Sequence, residues 1–198
     1  MTDLNQASQN VNLVAGNGAF NDIDGSVKAV ATQDVGSSHE GFGSSFPFGD
    51  VNVGQQNVNL IAGNGIGNHI DGDVKAIAHQ DVGSYHDDFG GFFPFAGGDV
   101  NQGAQGVNLV AANGLGNDID GGVKAVATQD VGSGHEGFGG FFPFAGGDQN
   151  LGVQNVNLVA GNGAFNDIAG DVKAIAHQDV GSFHADGPVL LPLDVHPL

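Results

Sequence analysis

Apolar and polar residues alternate along short segments of this chain, and the same pattern occurs four times. The first copy, VNLVAGNGAFNDIDGSVKAVATQDVG, opens at Val11, and the later copies open at Val58, Val107 and Val156. The copies therefore begin 47, 49 and 49 residues apart. A fixed period of this size predicts one structural unit used repeatedly, in which each copy buries a face against the next.

Each copy contains a shorter echo of itself. The pattern V-x-x-[VI]-A-x-[NQ] occurs at Val11 and again at Val27, 16 residues later. Two similar strands joined by a turn explain the echo, either as a β-arch or as a hairpin. No 3.6-residue apolar period is present and Gly interrupts every window, so helix is not predicted. We therefore predict an all-β fold, a cross-β-like stack of β-arches or β-solenoid built from four repeats of about 48 residues with Gly/Phe-rich loops.

The pattern also predicts boundaries. In copy one the predicted strands are 11–15 and 26–35, joined by a turn at 16–25. The predicted parts of the chain are a flexible lead-in at 1–10, repeats at 11–56, 57–105, 106–150 and 151–187, and a C-terminal Leu/Pro docking or capping segment at 188–198.

Gly-rich segments containing Phe-Pro-Phe follow the second strand of copies one to three and hold most of the 14 Phe residues. So many exposed Phe side chains would be costly. An ordered loop folded over the outer strand face, or over a neighbouring molecule, is therefore the favoured interpretation. A disordered linker is the alternative.

Alternation assigns one face of each strand to the interior, and in both strands this small apolar face ends in an amide. If copies stack in register at ~4.8 Å, each amide donates to one neighbour and accepts from the other. A buried amide without a partner costs about 1–3 kcal/mol. Turn-flanking amides in solvent are the alternative. The predicted assembly ladder consists of Asn17, Asn64, Asn113, Asn162, Gln33, Gln80, Gln129 and Gln178.

All four Lys residues occupy one equivalent position of the repeat, and stacked ammonium groups need counter-charge. An Asp six residues later lies on the same strand face in every copy. A catalytic Lys would need one buried site and would not need four copies. The predicted charge ladder consists of Lys28, Lys75, Lys124, Lys173, Asp34, Asp81, Asp130 and Asp179.

Charge narrows the choice of partners. The chain carries 22 acidic residues against four Lys, a formal charge of −18, and no Cys. No basic surface can neutralise phosphates, so nucleic acid is excluded and anionic membranes are disfavoured. Without Cys there is neither a disulfide framework nor thiolate chemistry. No signal-peptide pattern and no apolar run near the ~20 residues of a membrane span are found, so membrane insertion is not expected and the export route is left open.

Two sets of residues are candidates for metal binding. The NDIDG turns offer oxygen ligands of the kind that Ca²⁺ prefers, at Asp22, Asp24, Asp118 and Asp120. No distal bidentate Glu follows, and Asp-Gly turns explain the same residues, so turns are favoured and no cofactor is predicted. Registered His residues could bind metal or sense pH, but solvated loop histidines are the favoured interpretation. These are His39, His86, His135 and His184.

Catalytic signatures are missing from the sequence. We find no nucleophile–base–orienter set and no phosphate-binding Gly motif, so no enzyme activity is predicted.

The segments VNLVAGNGAFND, VNLIAGNGIGNH and VNLVAANGLGND resemble the Asn- and Gly-rich repeats of Fap-type functional amyloid fimbrial subunits. Curli subunits, whose shorter repeats carry registered Asn and Gln, are a more distant parallel. The resemblance covers the four repeat cores and offers no catalytic residues. It implies a secreted subunit that polymerises into cross-β fibrils for surface adhesion or biofilm matrix.

The function predicted from these observations is a self-assembling structural subunit of an extracellular, cell-surface fibre, with other copies of itself as partner. The end rungs of an uncapped stack are unpaired edges that template the next molecule. A monomeric β-solenoid adhesin or surface-binding protein, with or without calcium, is the alternative. A hydrolase built on a β-helix is a third class, for which no acid pair stands out.

Overall fold

The computed structural model describes residues 3–42, 49–89, 98–138 and 147–187, and each range forms one rung of a stack. Rung 1 contains β1 (Leu4–Ala15), β2 (Gly18–Ala19), β3 (Asp22–Asp24) and β4 (Val27–Phe42). Rung 2 contains β5 (Val51–Ala62), β6 (Gly65–Ile66), β7 (His69–Asp71) and β8 (Val74–Phe89). Rung 3 contains β9 (Val100–Ala111), β10 (Gly114–Leu115), β11 (Asp118–Ile119) and β12 (Val123–Phe138). Rung 4 contains β13 (Gln149–Ala160), β14 (Gly163–Ala164), β15 (Asp167–Ile168) and β16 (Val172–Gly187).

Four parallel sheets run along the stack, and each takes one strand from every rung. Sheet 1 has the order β1-β5-β9-β13, and sheet 2 has the order β4-β8-β12-β16. Pairing is in register, so Val11 lies beside Val58 and Val58 beside Val107. The two long strands of a rung belong to different sheets, so the unit is a β-arch. The predicted all-β stack of arches is confirmed.

Glycines make the turn of the arch possible. Gly18 and Gly65 have φ values of 125° and 135°, which side-chain-bearing residues rarely adopt. A Cβ atom on Gly65 would lie 1.7 Å from the carbonyl oxygen of Gly18 in the rung below. The stacked backbones therefore approach closely only because this position is Gly in every copy.

The two large sheets are staggered along the stack. β4 contacts both β1 and β5 across the core, β8 contacts β5 and β9, and β12 contacts β9 and β13. The second long strand of each rung thus sits between the first long strands of its own rung and the next. β16 packs on β13 at the end of this series, so its inward face is exposed whereas that of β4 is buried.

The core between the sheets has three zones along the strands. Nearest the arch turn, the alternation predicted for the interior face is confirmed by a continuous apolar cluster. In rung 2 its members are Val58, Leu60, Ala62, Ile70, Val74, Ala76 and Ala78. A middle zone contains the amides of Gln56 and Gln80, and the open end of the arch contains Asn52, Ser84 and His86.

Several predicted boundaries are wrong. The predicted starts of repeats 2, 3 and 4, at residues 57, 106 and 151, fall inside β5, β9 and β13, because the residues before each repeated segment already pair with the neighbouring rung. Residues 4–10 belong to β1 and are not a flexible lead-in. β4 continues to Phe42, beyond the predicted strand end at residue 35, so the start of the segment predicted as a loop is strand. The stretch LNQASQN has little β-branched character, and it is extended because it pairs with β5, which local propensity does not reveal. The Phe-rich segments 43–48, 90–97 and 139–146, and the C-terminal segment 188–198, lie outside the described residues.

Candidate functional site

The open end of the arch gathers polar side chains on the inward face. Asn52 of β5, and Asp50 just before that strand, lie opposite Ser84 and His86 of β8. All four are buried. Buried polar groups need partners, and here the partners come from the neighbouring rungs.

Histidine rings form a column along this end of the core. The ring centroids of His39 and His86 are 5.0 Å apart, and those of His86 and His135 are 4.9 Å apart, with nearly parallel planes. A column of Asp residues from sheet 1 runs beside the rings. We call the set the His–Asp ladder, and its members are Asp3, His39, Asp50, His86, Asp99, His135 and Asp148.

Each imidazole lies between the carboxylates of two successive rungs. His86 Nε2 is 3.5 Å from Asp50 Oδ2 and 3.2 Å from Asp99 Oδ1. His135 Nε2 is 3.3 Å from Asp99 Oδ2 and 3.3 Å from Asp148 Oδ1. These His–Asp contacts therefore link rungs that are already joined by backbone hydrogen bonds.

Asp99 shows what holds a carboxylate inside this core. It accepts the Ser84 hydroxyl at 2.6 Å and the backbone N–H of Asp50 at 2.8 Å. Burial by itself would raise the pKa of Asp99. Hydrogen bonds from His135, His86, Ser84 and the Asp50 backbone outweigh burial and hold that pKa well below its usual range.

His135 titrates in the complementary direction. Burial opposes its ionisation, but its hydrogen bond to Asp99 and the negative charges of Asp148 and Asp99 outweigh burial and raise its pKa above the usual value. The two carboxylates therefore favour the protonated form of this imidazole more than solvent would.

The interpretation of the registered histidines as solvated loop residues is wrong for His86 and His135, which are buried. The sequence contained a signal that could have found their partners. Asp3, Asp50 and Asp99 recur at the same spacing as the repeats themselves. Their contact with the His column depends on the staggered arch, which periodicity alone does not specify.

The same atoms are of the types that bind metal ions. The ligating atoms of His39, Asp50 and His86 lie within 4.8 Å of one another, as do those of His86, Asp99 and His135. Ser84, the Asp50 backbone and two imidazoles, however, already use the roughly four acceptor sites of the Asp99 carboxylate. The acceptor sites of Asp99 are therefore used by protein donors without a metal.

The predicted calcium ligands lie far along the arch from this ladder: Asp22 and Asp24 are on β3, Asp118 is on β11, and Asp120 follows β11. Asp22, Asp24 and Asp120 are exposed, and Asp118 is half-buried. Asp118 Oδ2 pairs with His69 Nδ1 of the rung below at 3.3 Å. Across the four described ranges, metal-ligating side chains converge at the His–Asp ladder and not at the NDIDG turns.

The Gln half of the predicted amide ladder is hydrogen-bonded along the whole stack. Gln80 Nε2 donates to Gln33 Oε1 at 2.6 Å, Gln129 to Gln80 at 2.6 Å, and Gln178 to Gln129 at 2.6 Å. Every donor points toward rung 1. The role of this ladder in assembly stays a prediction.

The Asn half was assigned to the interior, and that assignment is wrong. Asn64 Nδ2 donates to Asn17 Oδ1 at 3.3 Å and Asn113 to Asn64 at 3.1 Å. Asn17 and Asn162 are nevertheless exposed, and the other two are half-buried. The physical reason is that β1 ends at Ala15, so alternation no longer governs the direction of the side chain at position 17.

The sequence reasoning missed further amide ladders that are buried. Asn52 Nδ2 donates to Asn101 Oδ1 at 2.9 Å and to the Gly83 carbonyl of sheet 2 at 3.0 Å. Gln105 Nε2 donates to Gln56 Oε1 at 2.8 Å. A third ladder follows Asn21, Asn68, Asn117 and Asn166 at the arch turn. These Asn and Gln positions are the same in all four copies, and that invariance was the sequence signal that could have revealed the ladders.

The predicted pairing of Lys with the Asp six residues later is wrong. Lys75 pairs with Asp73, and Lys173 Nζ lies 2.7 Å from Asp171 Oδ2. Six residues of strand separate two side chains by about 20 Å, so sharing a face does not bring them together. The Asp column is instead self-repelling, since burial and the charges of Asp130 and Asp34 raise the pKa of Asp81.

The two ends of the stack are open. Val172 on β16 is 50% exposed, whereas its equivalents Val74 and Val123 in the inner rungs are 0% exposed. β1 and β13 are the edge strands of sheet 1, and β4 and β16 are those of sheet 2. Each end therefore presents unpaired backbone groups that match the pairing pattern inside the molecule.

No family model matches the chain, and no curated protein or solved structure matches it either. Nothing in the described ranges is a helix long and apolar enough to cross a membrane.

Proposed function

We propose that this protein is a structural subunit that polymerises through its open end rungs into a fibre of functional-amyloid type. The observation that carries the proposal is the exposure of the inward face of rung 4. Val172 and Val180 are 50% and 41% exposed there, although the same positions are sealed in rungs 2 and 3. Fully burying one such side chain stabilises an assembly by about 1.5–3 kcal/mol.

The stagger of the sheets supports end-to-end addition. β16 lacks the second sheet-1 strand that β4, β8 and β12 each contact. The β1 strand of another copy supplies a strand of the right length and direction, since β1 and β13 both contain 12 residues and all pairing is parallel. Such a heterologous contact does not close on itself and generates a filament.

The ladders favour a structural over a catalytic use of the polar residues. Their donors and acceptors form hydrogen bonds with the neighbouring rungs, and the buried Asp carboxylates lie beside imidazoles along the stack. We place the fibre outside the cell, serving adhesion or matrix, because the resemblance to fimbrial subunits implies it.

Electron microscopy and sedimentation of the purified full-length chain test this function. We expect long unbranched fibres with a cross-β spacing of ~4.7–4.8 Å along the axis. Monodisperse particles at all concentrations would refute polymerisation and favour the monomeric adhesin instead.

A further inference from the structure

The first and last rungs share a feature that the inner rungs lack. Segments 11–22 and 156–167 are identical, VNLVAGNGAFND. At the arch corner they carry Phe20 and Phe165, where the inner rungs carry Gly67 and Gly116. Both end rungs therefore differ from the inner ones in the same way, at the surfaces where another copy would add.

The two Phe residues occupy a conformation that suits Gly. Their φ values are 55° and 58°, against 63° for both Gly67 and Gly116. A bulky side chain is strained in this left-handed region. Phe20 and Phe165 are also 80% and 88% exposed. Within one molecule, both the strain and the exposure are unfavourable and bring little packing in return.

The Phe20 ring leans up the stack. A Cβ atom on Gly67 would lie 2.9 Å from Phe20 Cδ1, so the ring rests over the backbone of rung 2. A Cβ atom on Gly116 would meet no described atom within 4 Å, so Phe165 does not lean back over rung 3. With the same backbone conformation as Phe20, Phe165 extends beyond rung 4.

Rung 4 carries the same residue as rung 2 at a position that contacts the next rung, and this match indicates which end of one copy meets which end of another. Asp73 Oδ1 in rung 2 accepts the Gly122 backbone N–H of rung 3 at 2.8 Å. Asp171 is the equivalent of Asp73 in rung 4, and Ser26 is the equivalent of Gly122 in rung 1. The contact between rungs 2 and 3 is thus a template for a contact between rung 4 and rung 1 of another copy.

A second ring contact, between rungs 2 and 3, also has an equivalent between rung 4 and rung 1 of another copy. The Tyr85 ring of rung 2 lies over Gly134 of rung 3, where a Cβ atom would be 2.9 Å from Tyr85 Cδ2. The equivalent positions at the ends are Phe183 in rung 4 and the small Ser38 in rung 1. A large residue therefore again meets a small one when rung 4 receives rung 1.

Resting on the proposed fibre function, we propose that copies join head to tail and in register, with rung 4 receiving rung 1 of the next copy and Phe165 stacking on Phe20 of that copy. The partner is a second copy of this chain. The Gln ladder supports the direction, because Gln178 donates toward rung 3 and Gln33 of the next copy can donate to its Oε1. Phe165 must turn its ring aside, since residue 20 has the Cβ atom that Gly67 lacks.

Substitution by the residue of the inner rungs tests the pair. Phe20→Gly, Phe165→Gly and the double variant should each leave monomer melting unchanged or raised, because strain is relieved. Each should raise the critical concentration for polymerisation by about 2- to 10-fold, the value of one aromatic pair. The double variant should be no worse than either single variant, because both remove the same contact. Tyr85→Ser, an aromatic deletion in an inner rung, is the matched control.

Cross-linking tests the polarity directly, since the chain has no Cys. Stacked residues have Cα atoms about 4.8 Å apart, within the range that a disulfide spans. With an added oxidant, an equal mixture of Phe20→Cys and Phe165→Cys chains should give covalent dimers containing one of each. Either variant alone should give none.

If the wild-type chain does form fibres, any one of three results with the variants would overturn the inference. They are an unchanged or lowered critical concentration in the Gly variants, additive effects in the double variant, or cross-linking by one Cys variant alone. A wild-type chain that forms no fibres would instead overturn the proposed function, and the junction with it.

Discussion

Replacing Asp99 by Asn tests the His–Asp ladder at its centre. The carboxylate is 0% exposed and accepts from Ser84, the Asp50 backbone, His86 and His135. Asn keeps one acceptor oxygen and turns an NH₂ group toward groups that are themselves donors. The change is nearly isosteric, so the loss is electrostatic and not a cavity.

The magnitude follows from the contacts that are lost. Hydrogen bonds to charged groups are worth about 1.5–3 kcal/mol each, and breaking a buried ion pair costs about 3–5 kcal/mol. We expect Asp99→Asn to lower the free energy of unfolding by about 3–5 kcal/mol, a large share of the ~5–15 kcal/mol typical of a domain. For a chain of this length the melting temperature should fall by roughly 6–20 °C.

The loss of unfolding free energy in Asp99→Asn should depend on pH. The pKa of His135 is raised, so its stabilising contribution is complete below about pH 6.5 and is lost as pH rises through the folded-state value. The pKa of Asp99 is depressed, so its contribution is present above about pH 3.9 and is lost only as pH falls through the lower folded-state value. The penalty should be largest between about pH 4 and 6.5 and smaller in alkali.

Urea unfolding of the monomer below its critical concentration, at about pH 5.5 and again in alkali, measures both effects. Asp81→Asn is the matched control, because burial and the charges of Asp130 and Asp34 raise the pKa of Asp81 and its neutralisation should stabilise the fold. Equal penalties for Asp99→Asn at the two pH values would refute the argument that the ionised His135 imidazole stabilises the ladder.

Three further predictions concern packing, amides and charge. Gly103→Ala should destabilise the monomer by about 1–3 kcal/mol in thermal unfolding, because its Cβ would lie 2.8 Å from Val131 Cγ2. Gly147→Ala, whose Cβ would meet no described atom within 4 Å, should be nearly neutral. Gln129→Leu should lower the free energy of unfolding by about 1–3 kcal/mol for each buried amide left without a partner. Asn113→Leu should lower it less, because that ladder lies at the half-exposed turn, and equal urea midpoints would contradict this ranking. Polymerisation half-times should shorten as salt is added at neutral pH, because a charge of −18 opposes association and salt screens it over roughly 10 Å at 0.1 M. Assembly that is fastest at low salt would contradict this electrostatic argument.

The sequence alone predicted that the four repeats stack in register. The recurrence of the same segment at Val11, Val58 and Val107, 47 and then 49 residues apart, predicted the stacked rungs, and period-two alternation predicted the apolar zone around Leu60 and Ala76. These features are local and periodic, so they are written directly into the order of residues. The Gln ladder was predictable for the same reason.

Contacts across the arch were decided by the tertiary structure alone. His86 meets Asp99, a residue 13 positions later that belongs to the next rung, because the two sheets are staggered. Lys75 and Asp81 share a face but are about 20 Å apart along an extended strand, so the sequence pattern suggested a pairing that geometry forbids. Asn17 leaves the interior because the strand ends two residues earlier. Periodicity specifies which residues repeat and which face they share, whereas the turn and the stagger set the distances on which charge pairing and burial depend.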